Sequence, residues 1–142
     1  MQYKISYFSI LKFDENFIKF NVKENNIFQL LDSKCLKSEV QIIEAIRKTV
    51  RYTEHSHRIR IPGNVLLIYI SGTNQIESAI SRCGINSSST RGAIVYSGNE
   101  ALKGIIESGY IKIIDRFIPF DIPDKDFEIF SKMAYMDLTL HF

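Results

Sequence analysis

Long apolar runs are missing from this sequence. No stretch approaches the ~18 residues that a membrane-spanning helix requires, and the first residues, MQYKISYF, carry no signal-peptide pattern. We therefore expect a cytoplasmic protein. The 142 residues, 45% hydrophobic and 24% charged, suit a single domain over residues 1–142 with one core. Repeats and linkers are absent too, and the low-complexity stretch NSSST is only loop-sized.

Cysteine is scarce. Cys35 and Cys83 are the 2 cysteines of the chain, and they lie far apart in sequence. They could form one disulfide, but disulfides rarely persist in a reducing compartment. We therefore expect two unpaired thiols.

An excess of one charge is also missing. The net charge of +2 does not by itself indicate a nucleic-acid-binding protein. The distribution is uneven, however, because basic residues dominate 47–60 and acidic residues dominate 121–142. Two solvated faces would explain this pattern, and so would a basic binding surface.

Familiar catalytic motifs do not occur. Ser71-Gly72-Thr73 interrupts the apolar run that ends at Ile70. This short segment holds one glycine, whereas the dinucleotide-binding loop G-x-G-x-x-G needs three. The sequence contains no P-loop, H-E-x-x-H, C-x-x-C or G-x-S-x-G motif. His55 and His57 lack a nearby third ligand, so we expect exposed loop histidines. These observations predict no catalytic residues, no metal site and no cofactor.

The apolar patterns predict a sheet with helices packed on it. Val65–Ile70 is apolar without alternation, which is typical of a strand buried on both faces. A helix and the apolar run Ala93–Tyr96 follow closely, which predicts a right-handed βαβ unit with these two strands central and parallel. We therefore predict an α/β fold with a mixed sheet. Further strands are predicted at Tyr3–Ile10, Ile18–Val22, Ile27–Leu31 and Tyr110–Ile114.

Helix-start signals predict four helices. Ser38 and Gln41 fit a capping box, in which each side chain satisfies a free backbone N–H. The apolar stripe of this helix is Val40, Ile43, Ile46 and Val50. The other helices start near Asn74, Ser97 and Pro123, and Gly84 is placed to end the second helix in a left-handed C-cap.

Polar residues mark one edge of the helix that starts near Asn74. Gln75, Ser78 and Arg82 lie at i, i+3 and i+7, and the helix N-terminus offers free N–H groups to a phosphate. Several polar residues could converge there on one anionic ligand. These candidates are Arg58, Arg60, Gln75, Arg82 and Arg91. Ordinary surface arginines are the alternative interpretation.

The final helix carries two apolar stripes that together span roughly 200° of its circumference. The first stripe is Phe127, Phe130, Ala134 and Leu138, and the second is Ile129, Met133, Met136 and Leu140. A terminal helix normally buries one stripe in its own core, so the surplus stripe suggests a partner protein. The pattern does not say which stripe faces outward, and a helix sunk deep in the core is the alternative.

The segment ISGTNQIESAISRCGI, followed by a serine-rich loop and GAIVY, resembles a known family. It is similar to the kinase-binding subunit of the KEOPS (EKC) complex, the TPRKB-like family, in its archaeal type. The family pattern is an apolar strand, a short helix of the form (S/N)G-x-x-QI-x-x-AI-x-x-x-GI, a loop and a second apolar strand. The layout matches over residues 27–140, and the specific motif lies within Ser71–Tyr96.

The resemblance implies a non-catalytic subunit. KEOPS makes the tRNA modification t6A; its carbamoyltransferase subunit performs the chemistry with help from a small atypical kinase that acts as an ATPase. The subunit resembled here docks on that kinase, stimulates it and recruits tRNA through the 3′ CCA end. Family kinase contacts lie mainly on the last helix. This implies an interface that includes Phe127, Ile129, Phe130, Met133, Met136 and Leu140.

Two other classes of function fit the residues. A small enzyme or phosphate-ligand-binding α/β domain would use the same βαβ edge, and an RNA-binding domain would need no kinase partner. Which residues hold the CCA end is an inference from the basic edge, because the family motif does not fix them.

Overall fold

Alternating apolar residues build a four-stranded sheet on which the helices pack. The computed structural model describes residues 2–16 and 25–140. The strands of these ranges are β1 (Lys4–Ile10), β2 (Gln29–Asp32), β3 (Arg91–Tyr96) and β4 (Ile111–Ile114). The helices are α1 (Glu39–His55), α2 (Pro62–Ser71), α3 (Ile76–Cys83), α4 (Asn99–Glu107) and α5 (Glu128–Leu140). The α/β fold class is confirmed, whereas the strand predicted at Ile18–Val22 lies outside the described residues.

The described strands pair antiparallel throughout, in the order β2-β3-β1-β4. Ala93–Tyr96 is indeed central, because β3 lies between β2 and β1. The predicted parallel βαβ unit and mixed sheet are nevertheless wrong. The segment expected to be the second parallel strand is a helix.

Helix α2 is the segment that sequence periodicity assigned to a strand. Every residue of Val65–Ile70 is buried, so the run shows no polar face in either conformation. Pro62 occupies the first turn, where its missing N–H costs nothing, and Gly72 ends the helix in the left-handed conformation with φ 74°. A helix that is apolar all round belongs in the middle of a core.

The sheet separates two apolar clusters. The larger cluster contains α2, which packs against α1, α3 and α5 as well as the sheet. The smaller cluster lies on the other sheet face and includes Phe8, Ile94 and Ile105 of α4. Helices α1, α3 and α5 are therefore neighbours around α2, and α3 and α5 carry Arg82 and five of the candidate interface residues.

Helix α1 begins at the predicted capping box. Ser38 accepts the Gln41 N–H, and the Gln41 side chain accepts from the Ser38 N–H in return. The predicted apolar stripe is offset, because Ile43 is 44% exposed. The face that packs inward instead holds Ile42, Ala45, Thr49 and Tyr52. Thr49 tolerates burial because its hydroxyl donates to the Ala45 carbonyl.

Helix α3 differs at both ends from the expectation. It begins after Gln75 without a side-chain cap, so Asn74 is not its N-cap. Gly84 follows the last residue with φ −77°, so the predicted left-handed cap is wrong. The left-handed glycine of this region is Gly72, at the end of α2.

The two cysteines form a disulfide, which corrects the expectation of unpaired thiols. Cys35 closes a 3-10 turn after β2, and Cys83 is the last residue of α3. Packing of α3 beside that turn brings their Cα atoms within 5.6 Å, inside the usual range for a disulfide. Sequence spacing did not predict this, because residues 48 apart meet only through the tertiary fold.

We predict that Cys35→Ser lowers the free energy of unfolding by as much as about 4 kcal/mol, because the unfolded chain regains the freedom of a large loop. Urea denaturation at neutral pH, without reductant, measures the change as a lower midpoint. Adding a dithiol reductant should shift the midpoint of the unsubstituted protein and leave that of the variant unchanged. Equal midpoints for the two proteins without reductant would contradict the prediction.

Candidate functional site

Helix α5 turns one apolar stripe into the core. Met133, Met136 and Leu140 are buried, and Ile129 and Phe130 are half-buried against the same cluster. The orientation that the sequence left open is thus settled, since the stripe with the two methionines faces inward. These side chains stabilise the domain, although they were candidates for a partner interface.

The opposite side of α5 is exposed and apolar. Phe127, Tyr135 and Leu138 are 61%, 63% and 74% exposed, and Ala134 lies exposed between them. We refer to these four residues as the outer stripe. Phe127, Ala134 and Leu138 belong to the first of the two predicted stripes, whereas Tyr135 belongs to neither. The i−3 spacing of Tyr135 from Leu138 was the signal that would have found it.

Asp137 fixes the rotation of α5 about its axis. Its carboxylate accepts hydrogen bonds from the Lys48 ammonium of α1 and from the Tyr69 hydroxyl of α2, the latter at 2.6 Å. Arg51 forms a further ion pair with it at 2.9 Å. Because Asp137 is held between α1 and α2, its neighbour Leu138 is directed to solvent.

The contacts around Asp137 shift the pKa values of Asp137 and Tyr69. Burial acts to raise the pKa of Asp137, but hydrogen bonds from Lys48, Tyr69 and Arg51 outweigh it and hold the pKa below its ordinary value. Burial, followed by the hydrogen bond to Asp137, raises the pKa of Tyr69 well above its ordinary value. Tyr69 therefore remains a donor and Asp137 an acceptor at neutral pH.

Two candidate arginines lie in the connector between α1 and α2. Arg58 lines a cleft of about 250 Å³ that also contains Asn74 of the α2–α3 connection and Leu140 of α5. Arg60 lines a neighbouring cleft of about 390 Å³. Ile59 forms a wall of both clefts, so the two arginines flank one side chain.

Gln75 and Arg82 lie at opposite ends of α3. Gln75 precedes the first turn and is exposed. Arg82 lies in the last turn and lines a third cleft together with Lys37 and Lys132. We refer to this third cleft as the cationic cleft.

Arg91 takes a separate position at the start of β3. Its guanidinium carbon lies 4.1 Å from the centroid of the Phe117 ring, a cation–π contact. Arg91 lines none of the three clefts that hold Arg58, Arg60 and Arg82. The five candidates are thus spread around α3 and along β3 and do not form one pocket.

The break after Ile70 is a helix C-terminus and not the strand-to-helix turn that was expected. The dipole of α2 places partial negative charge at Gly72, and phosphates prefer the opposite end of a helix. Gly72 itself therefore offers no phosphate site, whereas the N-terminus of α3, where the phosphate was predicted, is present and begins without a side-chain cap.

His55 and His57 are exposed, and His57 lines the same cleft as Arg60. Across residues 2–16 and 25–140, no three histidine, cysteine, aspartate or glutamate side chains form a group suited to a metal ion. None of the helices in these ranges is long and apolar enough to cross a membrane.

The chain matches the model of a known protein family over most of its length. Residues 13–133, from just after β1 to the first half of α5, match the model of the family described as kinase binding protein CGI-121. No curated protein matches the chain. The family match includes both connector arginines, the whole of α3 and the start of the outer stripe.

We predict that Asp137→Asn lowers the free energy of unfolding by about 2 kcal/mol at pH 7, because Lys48 stays buried without its counter-charge. Removing one partner of a fully buried pair costs about 3–5 kcal/mol, and the partial exposure of Asp137 reduces that figure. The lowered pKa of Asp137 means that the stabilisation is complete above about pH 4 and is lost as pH falls through the lowered value.

Urea denaturation between pH 2 and pH 7 (a range set around the ordinary carboxyl pKa of about 4) measures both effects. Glu44→Gln, which breaks the exposed pair with Arg47, is the matched control and should change stability by less than about 1 kcal/mol. A variant at Asp137 as stable as the control, with the same pH dependence as the unsubstituted protein, would show that the network does not fix α5.

Proposed function

Because the chain belongs to the CGI-121 family of kinase-binding proteins, we propose that it is a non-catalytic accessory subunit of a KEOPS complex. In this role it binds and stimulates the small atypical kinase of the complex, which acts as an ATPase. It also recruits tRNA through the 3′ CCA end for synthesis of t6A. The carbamoyltransferase and the other subunits are then indirect partners.

The outer stripe is the observation that carries the kinase part of this proposal. It holds three large apolar side chains, each more than 60% exposed, of which Tyr135 and Leu138 lie on α5 and Phe127 directly precedes its first residue. The fold does not need them, since the residues on the inward side of α5 already complete the core: Ile129, Phe130, Met133, Met136 and Leu140. Large apolar and aromatic side chains concentrated on one rigid face are typical of the centre of a protein interface.

The rigidity of α5 supports the same assignment. Asp137 lies in the C-terminal half of the helix, directly before Leu138, and joins the helix to α1 and α2. A partner would therefore meet a preformed surface and would not bear the cost of ordering it. Stimulation of the kinase would follow if the kinase conformation that fits this surface is the active one.

The basic residues around α3 support the tRNA part. Arg58 lines a cleft with Ile76 at the start of α3, Arg60 lines the neighbouring cleft on the other side of Ile59, and Arg82 lies near the end of α3. Single-stranded nucleic acid is held by cationic grooves together with side chains on which bases stack. Gln75 adds an exposed amide, and Arg91 lies farther along the surface on β3.

We predict that Leu138→Asp and Tyr135→Asp each fold normally and weaken binding to the kinase subunit by about 30-fold or more, the equivalent of the ~2 kcal/mol typical of an interface hot spot. Both variants should also lose stimulation of the kinase ATPase. Calorimetric titration against the purified kinase and an ATPase assay measure the two effects, and thermal unfolding verifies the fold.

Two controls separate docking from folding. Leu11→Asp places the same charge on an apolar side chain that is 61% exposed away from α5, and it should leave binding unchanged. Leu140→Asp, two residues from Leu138 but buried, should destabilise the domain because it places a charge in the core. Full-strength kinase binding by both Leu138→Asp and Tyr135→Asp would place the interface elsewhere.

We predict that Arg60→Glu and Arg82→Glu each weaken tRNA binding. Each should also reduce the slope of log affinity against log salt concentration by about one, the value expected for the loss of one phosphate contact. The effect should be present with intact tRNA and absent with tRNA that lacks the CCA end. Filter binding at several salt concentrations measures both quantities.

Lys103→Glu is the charge-matched control, because Lys103 is exposed on α4 and pairs only loosely with Glu107 at 3.9 Å. It should not change tRNA affinity beyond the general effect of net charge. Equal affinity of the unsubstituted protein for tRNA with and without the CCA end would refute this part of the proposal, while leaving kinase docking untouched.

A further inference from the structure

The cationic cleft contains the disulfide. It has a volume of about 190 Å³ and lies where the end of α2, the end of α3, the 3-10 turn after β2 and α5 meet. Both Cys35 and Cys83 belong to its wall. The disulfide is thus next to an open cleft and not sealed inside the core.

The two sulfur-bearing residues differ in access. Cys83 is fully buried, whereas Cys35 is half-buried. The Sγ atom of Cys35 lies 3.3 Å from the Arg82 carbonyl oxygen, at the edge of the last turn of α3. A reagent that enters the cleft therefore reaches Cys35 more readily than Cys83.

The charged residues in the cleft wall are all basic. They are Lys37, Arg82 and Lys132, and each is exposed to solvent. The Lys132 stem runs beside Gly72, where a Cβ atom added to the glycine would lie 3.6 Å from the lysine Cδ. No acidic residue lines the cleft. A cleft lined by one sign of charge concentrates small molecules of the opposite sign.

We propose that the cationic cleft is a thiol–disulfide exchange site, at which a small anionic thiol opens the Cys35–Cys83 disulfide by attack on Cys35. The thiolate of the small molecule forms a bond to Cys35 Sγ as the Cys35–Cys83 bond breaks. The bonding electron pair leaves with Cys83 as a thiolate, which takes a proton from water. The product is a mixed disulfide at Cys35 and a free thiol at Cys83.

Three physical factors favour this course. The thiolate is the attacking species in exchange, and nearby cations stabilise it. Carboxylate groups on the small thiol are attracted by Lys37, Arg82 and Lys132. The product retains that attraction, because the attached anionic group stays among the three cations. None of these factors depends on the proposed docking to kinase or tRNA.

The experiment compares three small thiols of similar size on the full chain: mercaptopropionate, mercaptoethanol and cysteamine, which carry a negative, a neutral and a positive group. The rate of disulfide opening is followed by acid quenching, alkylation and mass spectrometry. Each rate is divided by the thiolate concentration and by the rate for hydroxyethyl disulfide, a neutral small disulfide. We expect the anionic thiol to exceed the neutral one by on the order of tenfold, and the cationic thiol to be slowest.

Three further measurements test the site itself. Lys132→Gln should reduce the ratio of the anionic to the neutral rate by about twofold, because one of three equal cations accounts for about one third of the logarithm of a tenfold ratio. Lys103→Gln should leave the ratio unchanged. High salt should remove the preference. Peptide mapping of quenched samples should find the adduct on Cys35. Equal normalised rates for the three thiols, a preference that Lys132→Gln leaves intact, or an adduct on Cys83 would each overturn the proposal.

Discussion

Burial of helix α2 on every side is the constraint on which the rest of the structure depends. Its residues Val65–Ile70 are all buried, so the helix has no face that tolerates water. The sheet covers one side, and α1, α3 and α5 cover the others. Helix α5 must therefore bury one stripe against this assembly. Since its sequence carries two stripes, the second is left at the surface, and the candidate kinase-binding face follows from the needs of the core.

A polar network gives that arrangement its orientation. Apolar packing is non-directional, so on its own it would permit several rotations of α5. Asp137 removes this freedom, because it must reach Lys48 on α1 and the Tyr69 hydroxyl on α2 together. Lys48 is buried, and a buried ammonium without a partner would be costly. The same contacts that satisfy these charges direct Leu138 outward.

The sequence predicted much of the fold, and its errors have physical causes. Capping at Ser38 and the strands near β1, β3 and β4 depend on local patterns, which the structure confirms. Val65–Ile70 was assigned wrongly because a run without polar residues has no periodicity with which to separate helix from strand. The bracketing Pro62 and Gly72 were the local signal for a helix. The disulfide and the Asp137 network join distant segments, so no local pattern encodes them.

The candidate site was predictable in kind but not in detail. Two stripes on α5 indicated a surplus face, yet only the fold decides that Met133 is buried and Leu138 exposed. The fold also decides where two of the basic clefts lie relative to that face. The clefts of Arg58 and Arg82 both lie between α3 and α5; the first meets α5 at Thr139 and Leu140, and the second meets it at Ile129 and Lys132. None of these four α5 residues belongs to the outer stripe, so the proposed kinase contact and the proposed tRNA contact use different side chains of the helix.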